Sequence, residues 1–140
     1  MSASPAVCHL LLIEDDASIS DVVSTALGDE GYRVTVAPDF TQAVAGLTAA
    51  RFDFVLADTL GASVRREEAD RWRELDRIRA LAGDTPVVLF TAHNPQLFAN
   101  FRAHGFHDLL PKPFSLDDLS AIVSRYVEDE CVREPMGDAA

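Results

Sequence analysis

Lysine is almost missing from this chain. Of its 12 Lys and Arg residues eleven are Arg, and Lys112, in the stretch HDLLPKPFS (107–115), is the only lysine. Cations as a class are also scarce, since 12 Lys and Arg face 23 Asp and Glu for a net charge of -11. Nucleic-acid affinity comes largely from Lys and Arg neutralising phosphates, so direct binding to DNA or RNA is not expected. Long apolar runs are absent: HLLLI and TPVVLF fall far short of the ~20 residues a membrane-spanning helix needs. The start, MSASPA, lacks the basic end and apolar core of an export signal. No membrane association and a cytoplasmic location are the resulting expectations. Cysteine occurs twice, and Cys8 and Cys131 match no metal-ligand spacing. In a reducing compartment they are expected to be free thiols, with a disulfide between them the lesser alternative.

What is present is an ordinary globular composition. With 140 residues, 48% hydrophobic and 25% charged, the chain is long enough to bury one core without covalent staples. Apolar runs alternate with amphipathic stretches, the pattern of a parallel α/β sheet. Residues 7–13, 32–36, 52–57, 86–90 and 106–110 are expected to form five strands. Continuously apolar runs such as LLLI and VVLF suit strands covered on both faces.

Helical spacing of Ile19, Val22, Val23, Ala26 and Leu27 predicts a first helix, entered through Asp16 and Ser18 and ending near Gly28 and Gly31. Asp39 is a plausible N-cap for a second, carrying Phe40, Ala43, Val44 and Leu47. Trp72, Leu75, Ile78 and Leu81 mark a third, a short fourth is expected at about 95–103, and a fifth follows Ser115 with Leu116, Leu119, Val123, Tyr126 and Val127. Residues 1–128 are therefore expected to be one domain and 129–140 a frayed tail. Met1 argues for an authentic start while the end stays open, and residues 129–140 by themselves are too few for a DNA-binding output domain.

Ligands of open parallel sheets bind beyond the carboxyl ends of the strands, near the point where strand order reverses. The residues following the expected strands are Glu14-Asp15-Asp16, Asp58, Thr91-Ala92 and Pro111-Lys112-Pro113. Asp16 is better explained as a helix cap. Asp58 ends an apolar strand with no immediate helix start behind it. Clustered carboxylates repel one another unless a cation compensates, and Mg²⁺ suits one or two carboxylates, with water and phosphate oxygens completing its shell.

This combination, IED(D) after the first strand, Asp after the third, Thr-Ala after the fourth and Lys-Pro-Phe after the fifth, resembles the receiver domain of two-component response regulators over residues 7–128. The resemblance implies a flavodoxin-like, doubly wound five-stranded parallel sheet of order 2-1-3-4-5 with five helices, an arrangement for which the family is a standard example. In that family an apolar residue lies four positions after the second acid of the pair. Ile19 lies four after Asp15, so the pair is Glu14 and Asp15. The resemblance further implies that Asp58 accepts a phosphoryl group, that Asp15, Asp58 and the Leu60 carbonyl bind Mg²⁺ with Glu14 acting through water, and that Thr91 and Lys112 contact the phosphoryl oxygens. The Lys112–Pro113 peptide would be cis.

Implied partners are a histidine kinase or a histidine phosphotransfer protein, a downstream protein target, and a second copy of the chain through the fourth helix, fifth strand and fifth helix. The 33 residues from Asp58 to Thr91 are about three more than usual for a receiver, and the 21 from Thr91 to Lys112 about one fewer. Arg65 and Arg66 fall in the atypical loop, where a solvated face is the simpler reading than contact with the phosphoryl group. Leu109 stands three before Lys112, where many receivers carry Tyr or Phe. Leu60 and His93 occupy positions that tune phosphoryl hydrolysis in the family. Phe98 and Phe101 are read as core before partner contact. His104 and His107 are expected on the surface, without metal, and His9 in a strand without chemical role. Two other functions compete: a receiver-like interaction module independent of phosphate, and a phosphohydrolase of the haloacid dehalogenase type. Leu60 occupies the place of that enzyme's second acid and counts against it.

Overall fold

A computed structural model of the chain describes residues 7–59, 67–91, 95–127 and 131. Five parallel strands form one sheet: β1 (His9–Ile13), β2 (Arg33–Ala37), β3 (Phe54–Asp58), β4 (Val87–Thr91) and β5 (Asp108–Pro111), in the order β2-β1-β3-β4-β5. Four α-helices connect and cover them: α1 (Ala17–Asp29), α2 (Phe40–Ala49), α3 (Glu68–Ala82) and α4 (Leu116–Tyr126). Among the described residues, no helix is long and apolar enough to cross a membrane.

The uninterrupted apolar strands follow from burial on both faces. Alternate residues of the central strands point to opposite layers. Leu11, Ile13, Val55, Ala57, Val87 and Leu89 pack with Ala43 of α2 and Trp72, Leu75 and Ile78 of α3. Their neighbours Leu10, Leu12, Phe54, Leu56, Val88 and Phe90 pack with Val23 and Leu27 of α1 and Leu119, Ile122 and Val123 of α4. Fully burying one such side chain stabilises the fold by about 1.5–3 kcal/mol. The two layers fix the strand register, because a one-residue slip would exchange the two sets.

The helices begin at the expected caps. Asp16 Oδ1 accepts the amides of Ser18 (2.9 Å) and Ile19 (3.2 Å), Asp39 Oδ1 that of Gln42 (2.7 Å), and Ser115 Oγ that of Asp118 (3.0 Å). Each satisfies an amide that the first helical turn leaves without a partner.

The expected fourth helix is not an α-helix. Pro95–Phe98 form a 3₁₀ turn, and three-residue turns continue through hydrogen bonds from Phe101 N to Phe98 O, Ala103 N to Asn100 O and Gly105 N to Arg102 O. A 3₁₀ coil rises about 2.0 Å per residue against 1.5 Å for an α-helix, so this short connection covers its span while seating Phe98 and Phe106 in the core. Gly105, at φ 89°, ends it in a backbone conformation that side chains with a Cβ rarely adopt. The aromatic assignment holds: Phe98 is fully buried and Phe101 packs against the same cluster.

The cysteines are not free thiols. Cys8 and Cys131 are disulfide-bonded, with Cα atoms 4.8 Å apart across 123 residues of sequence. The expectation rested on compartment, whereas the topology brings the end of α4 back to the foot of β1, a proximity that sequence distance conceals. Cys131 therefore belongs to the body of the fold rather than to a frayed tail; residues 128–130 and 132–140 lie outside the described residues.

The three described histidines, His9, His104 and His107, have structural partners, and two are half-buried where surface placement was expected. His104 stacks on Trp72 with ring centroids 3.8 Å apart, and its Nδ1 lies 2.8 Å from Asp76 Oδ1. His9 Nε2 lies 2.7 Å from Thr35 Oγ1 across the β1–β2 pair. His107 packs against Tyr126, and burial, then the Arg79 charge, holds its imidazole below the ordinary value of 6.5. A depressed histidine stabilises the fold when neutral, so its contribution is lost as pH falls from 6.5 toward the folded value. His107→Gln should therefore flatten the decline in urea-unfolding free energy between neutral pH and pH 5. The change should be well under the ~1.4 kcal/mol per pH unit of a full proton. A steeper decline in the variant would refute the assignment.

Candidate functional site

Parallel pairing brings every strand's carboxyl end to one rim. Ile13 is in register with Ala57, Asp58 with Phe90, and Thr91 with Pro111. Glu14 is therefore level with Asp58, Thr91 lies one step beyond on β4, and Lys112 one step beyond Thr91 at the end of β5. The site straddles β1 and β3, where the chain's order reverses and the crossovers leave to opposite faces.

Glu14 is 2% exposed and Asp58 7%, whereas the Asp15 side chain faces solvent. One carboxylate oxygen from each of the three lies within 4.8 Å of the others. Lys112 Nζ supplies the positive charge, 2.7 Å from Glu14 Oε1 and 3.5 Å from Asp58 Oδ1, and 4.5 Å from the centre of the Phe90 ring. The remaining Glu14 oxygen accepts the Asp16 amide at 3.1 Å. The Lys112 amide donates to Thr91 O at 2.8 Å, tying the two loops together, and the Lys112–Pro113 peptide is cis, as the resemblance implied.

One ammonium does not balance three acids. Burial raises the Asp58 pKa above the ordinary 3.8, with Lys112 opposing the shift. Asp15 is raised as well, by what desolvation it experiences and then by Glu14. Among the described residues the donors gathered here are carboxylate oxygens with one ammonium beside them, an arrangement that suits a hard divalent cation such as Mg²⁺. Glu14, Asp15, Asp58, Thr91 and Lys112 are thus brought to one place. Leu60, Arg65, Arg66 and His93 lie outside the described residues. Leu109 is half-buried on β5, packed against the α2–α3 layer.

The sequence reading missed Thr59. It is 1% exposed, its amide donates to Phe90 O at 3.3 Å, and its hydroxyl donates to that of Thr91 at 3.1 Å. A polar residue directly after an apolar strand was the available signal, overshadowed by the acid beside it. Accepting this hydrogen bond leaves Thr91 its own proton to donate elsewhere.

An apolar groove of about 570 Å³ adjoins the acids, between α1 and the β5–α4 turn, lined by Ile19, Val22, Pro113, Phe114, Leu116 and Lys112 among others. Val22 and Leu116 are exposed large apolar side chains, 57% and 49% accessible.

Residues 10–124 match the family described as "Response regulator receiver domain". The chain is 33% identical over 123 residues to the transcription factor SKN7 of Saccharomyces cerevisiae, covering 86% of this chain and 19% of that protein. It is 30% identical over 120 residues to the nitrogen assimilation regulatory protein NtrX of Azorhizobium caulinodans, covering 85% of this chain and 26% of that one. The chain thus spans about a fifth to a quarter of the length of these two relatives. The structure of the chemotaxis protein CheY4 of Vibrio cholerae superposes with a TM-score of 0.71 at 28% identity, covering 86% of this chain and 99% of that one.

Proposed function

Because the chain belongs to the response regulator receiver domain family, we propose that it is a phosphoacceptor of a two-component phosphorelay, taking a phosphoryl group on Asp58 and thereby switching a protein-binding surface. The observation that carries this reading is the single ammonium held between the buried Glu14 and Asp58 carboxylates at the rim where Thr91 also ends its strand.

An Asp58 carboxylate oxygen forms the new bond to phosphorus as the donor's bond to that phosphorus breaks. A histidine donor leaves as imidazole. The main obstacle is repulsion between an anionic nucleophile and an anionic phosphoryl group, so positioning and charge neutralisation do most of the catalysis. Lys112 Nζ can shift from the carboxylates toward a phosphoryl oxygen without losing Glu14. The Thr91 hydroxyl donates to another, drawing the β4 loop inward, and Thr59 keeps that hydroxyl oriented. Asp15 and Asp58, with the Leu60 carbonyl, would hold Mg²⁺, and Glu14 would act through an intervening water. When bound, the ion supplies the positive charge that the acids lack. The product adds about -1.5 to -2 charges and three acceptors at the rim, enough to bias a loop with two arrangements.

The proposed donor is a histidine kinase or a histidine phosphotransfer protein, whose histidine-bearing helix would lie in the apolar groove. Lys112 lines both that groove and the acidic site, so a side chain presented there reaches Asp58. The proposed location is the cytoplasm, where a kinase draws on ATP; the output would be contact with a downstream protein or a second copy rather than with nucleic acid. Leu109 favours a second reading, an interaction module that works without phosphate, because it replaces an aromatic that commonly relays the signal.

Incubation with acetyl phosphate and Mg²⁺ separates the two. Intact mass should show one phosphoryl group, stable in acid and labile in base, and no adduct in EDTA. No adduct with Mg²⁺, together with no response to beryllofluoride, would leave the interaction module as the better account.

A further inference from the structure

The Cys8–Cys131 bond lies at the opposite end of the sheet from the acids, and its two sulfurs are not equivalent. Cys8 is 1% exposed, sealed in the layer between the sheet and α1 and α4. Cys131, 9% exposed, lines a cavity of about 410 Å³ together with Arg51, Asp53, Asp84, Thr85 and His107. We infer that this pair is a reversible thiol–disulfide modification site, worked from the cavity by small thiols and disulfides that engage Cys131.

Disulfide exchange requires a thiolate to approach one sulfur directly. The cavity offers that approach to Cys131. An entering dithiol, as its thiolate, bonds to Cys131 Sγ while the Cys8–Cys131 bond breaks, and Cys8 leaves with the electron pair. Apolar surroundings disfavour a thiolate, so Cys8 takes up the proton that the reductant's thiol had released. The dithiol's second sulfur then displaces Cys131, and two electrons and two protons have passed from the dithiol to the protein. In reverse, the Cys131 thiolate attacks a small disulfide such as oxidised glutathione, a mixed disulfide forms at Cys131, and Cys8 closes the bond by expelling the second thiol.

The fold itself does not depend on the bond. Leu119, Ile122 and Val123 anchor α4 in the core, and the Tyr126 hydroxyl donates to His107 O at 3.1 Å and to Asp108 Oδ2 at 3.0 Å. Reduction unlinks Cys131 from Cys8 while leaving the acidic rim in place. In reducing compartments, persistent disulfides are rare and those that form are mostly catalytic or redox-sensing.

The test uses the full chain under native conditions. Dithiothreitol should reduce the oxidised protein without loss of its circular dichroism, and oxidised glutathione should restore the bond. Trapping during reoxidation, followed by peptide mapping, should find glutathione on Cys131 first. Cys8→Ser should take up one glutathione. In Cys131→Ser, modification of Cys8 should be roughly 10³-fold slower or more, because it waits on an unfolded fraction of 10⁻³ or less. Resistance to dithiothreitol until urea unfolds the chain would overturn the inference, as would first capture at Cys8 or equal rates for the two variants. If Cys8→Ser does not fold, trapping in the wild-type chain decides alone.

Discussion

Asp58→Asn should yield no phosphoryl adduct with acetyl phosphate and Mg²⁺, and in EDTA at neutral pH it should be more stable than the wild type. The first outcome follows from the nucleophile: an amide oxygen of the same shape lacks the charge that attacks phosphorus. The second follows from the electrostatics of the site. Burial is the main cause of the raised Asp58 pKa, with Lys112 only partly compensating. A carboxyl group raised in the folded state stabilises the fold below its ordinary 3.8, and that contribution is lost as pH rises through the folded value. At neutral pH the ionised, metal-free group therefore opposes folding, and asparagine removes the penalty while Lys112 keeps Glu14 at 2.7 Å. The gain should be on the order of 1 kcal/mol and should vanish in acid, where both side chains are neutral. Urea denaturation at pH 7 and at a pH well below 3.8 reads both parts. An adduct on the variant would move the acceptor elsewhere, and equal or lower stability at pH 7 would show that Lys112 already neutralises the site.

Much of this site was legible in the sequence because parallel pairing leaves little freedom. Once LLLI, FDFVLA and PVVLF are read as buried parallel strands, whatever follows each one meets at a single rim. The cluster at Glu14, Asp15, Asp58, Thr91 and Lys112 follows from that rim together with the strand order and the acid pair that the family resemblance implied. Caps at Asp16, Asp39 and Ser115 were equally legible, since they are local hydrogen bonds between near neighbours. What remained hidden depends on distance or competition. The turns over 95–105 keep apolar spacing that an α-helix would also satisfy, and the seating of Phe98 and Phe106 decides between the two only in three dimensions. Cys8 meets Cys131 through the path of the whole chain. Thr59 is an ordinary residue whose partner hydroxyl lies 32 positions away.

Lys112→Met should be the most damaging of the single substitutions considered, lowering stability by about 3–5 kcal/mol in EDTA, the range for removing one partner of a buried ion pair. Glu14 is nearly sealed from solvent and holds the ammonium at 2.7 Å. Without it, Glu14, Asp15 and Asp58 crowd within 4.8 Å and lose the ammonium that Glu14 and Asp58 share. Mg²⁺ should then recover part of the loss, and more of it than in the wild type, because the ion would meet a denser negative site. A loss below about 1 kcal/mol would mean that the pair is effectively solvent-screened. Lys112→Arg separates charge from shape. The guanidinium keeps the charge but is a broad planar fork, whereas an ammonium is a compact point charge with freely rotating donors. Phe90, whose ring centre lies 4.5 Å from Nζ, closes one side of the space a fork would need. The arginine variant should therefore fold close to wild-type stability, take up phosphate slowly and signal poorly. Wild-type phosphorylation and signalling by that variant would remove the reason for the one lysine in a chain that otherwise uses arginine throughout.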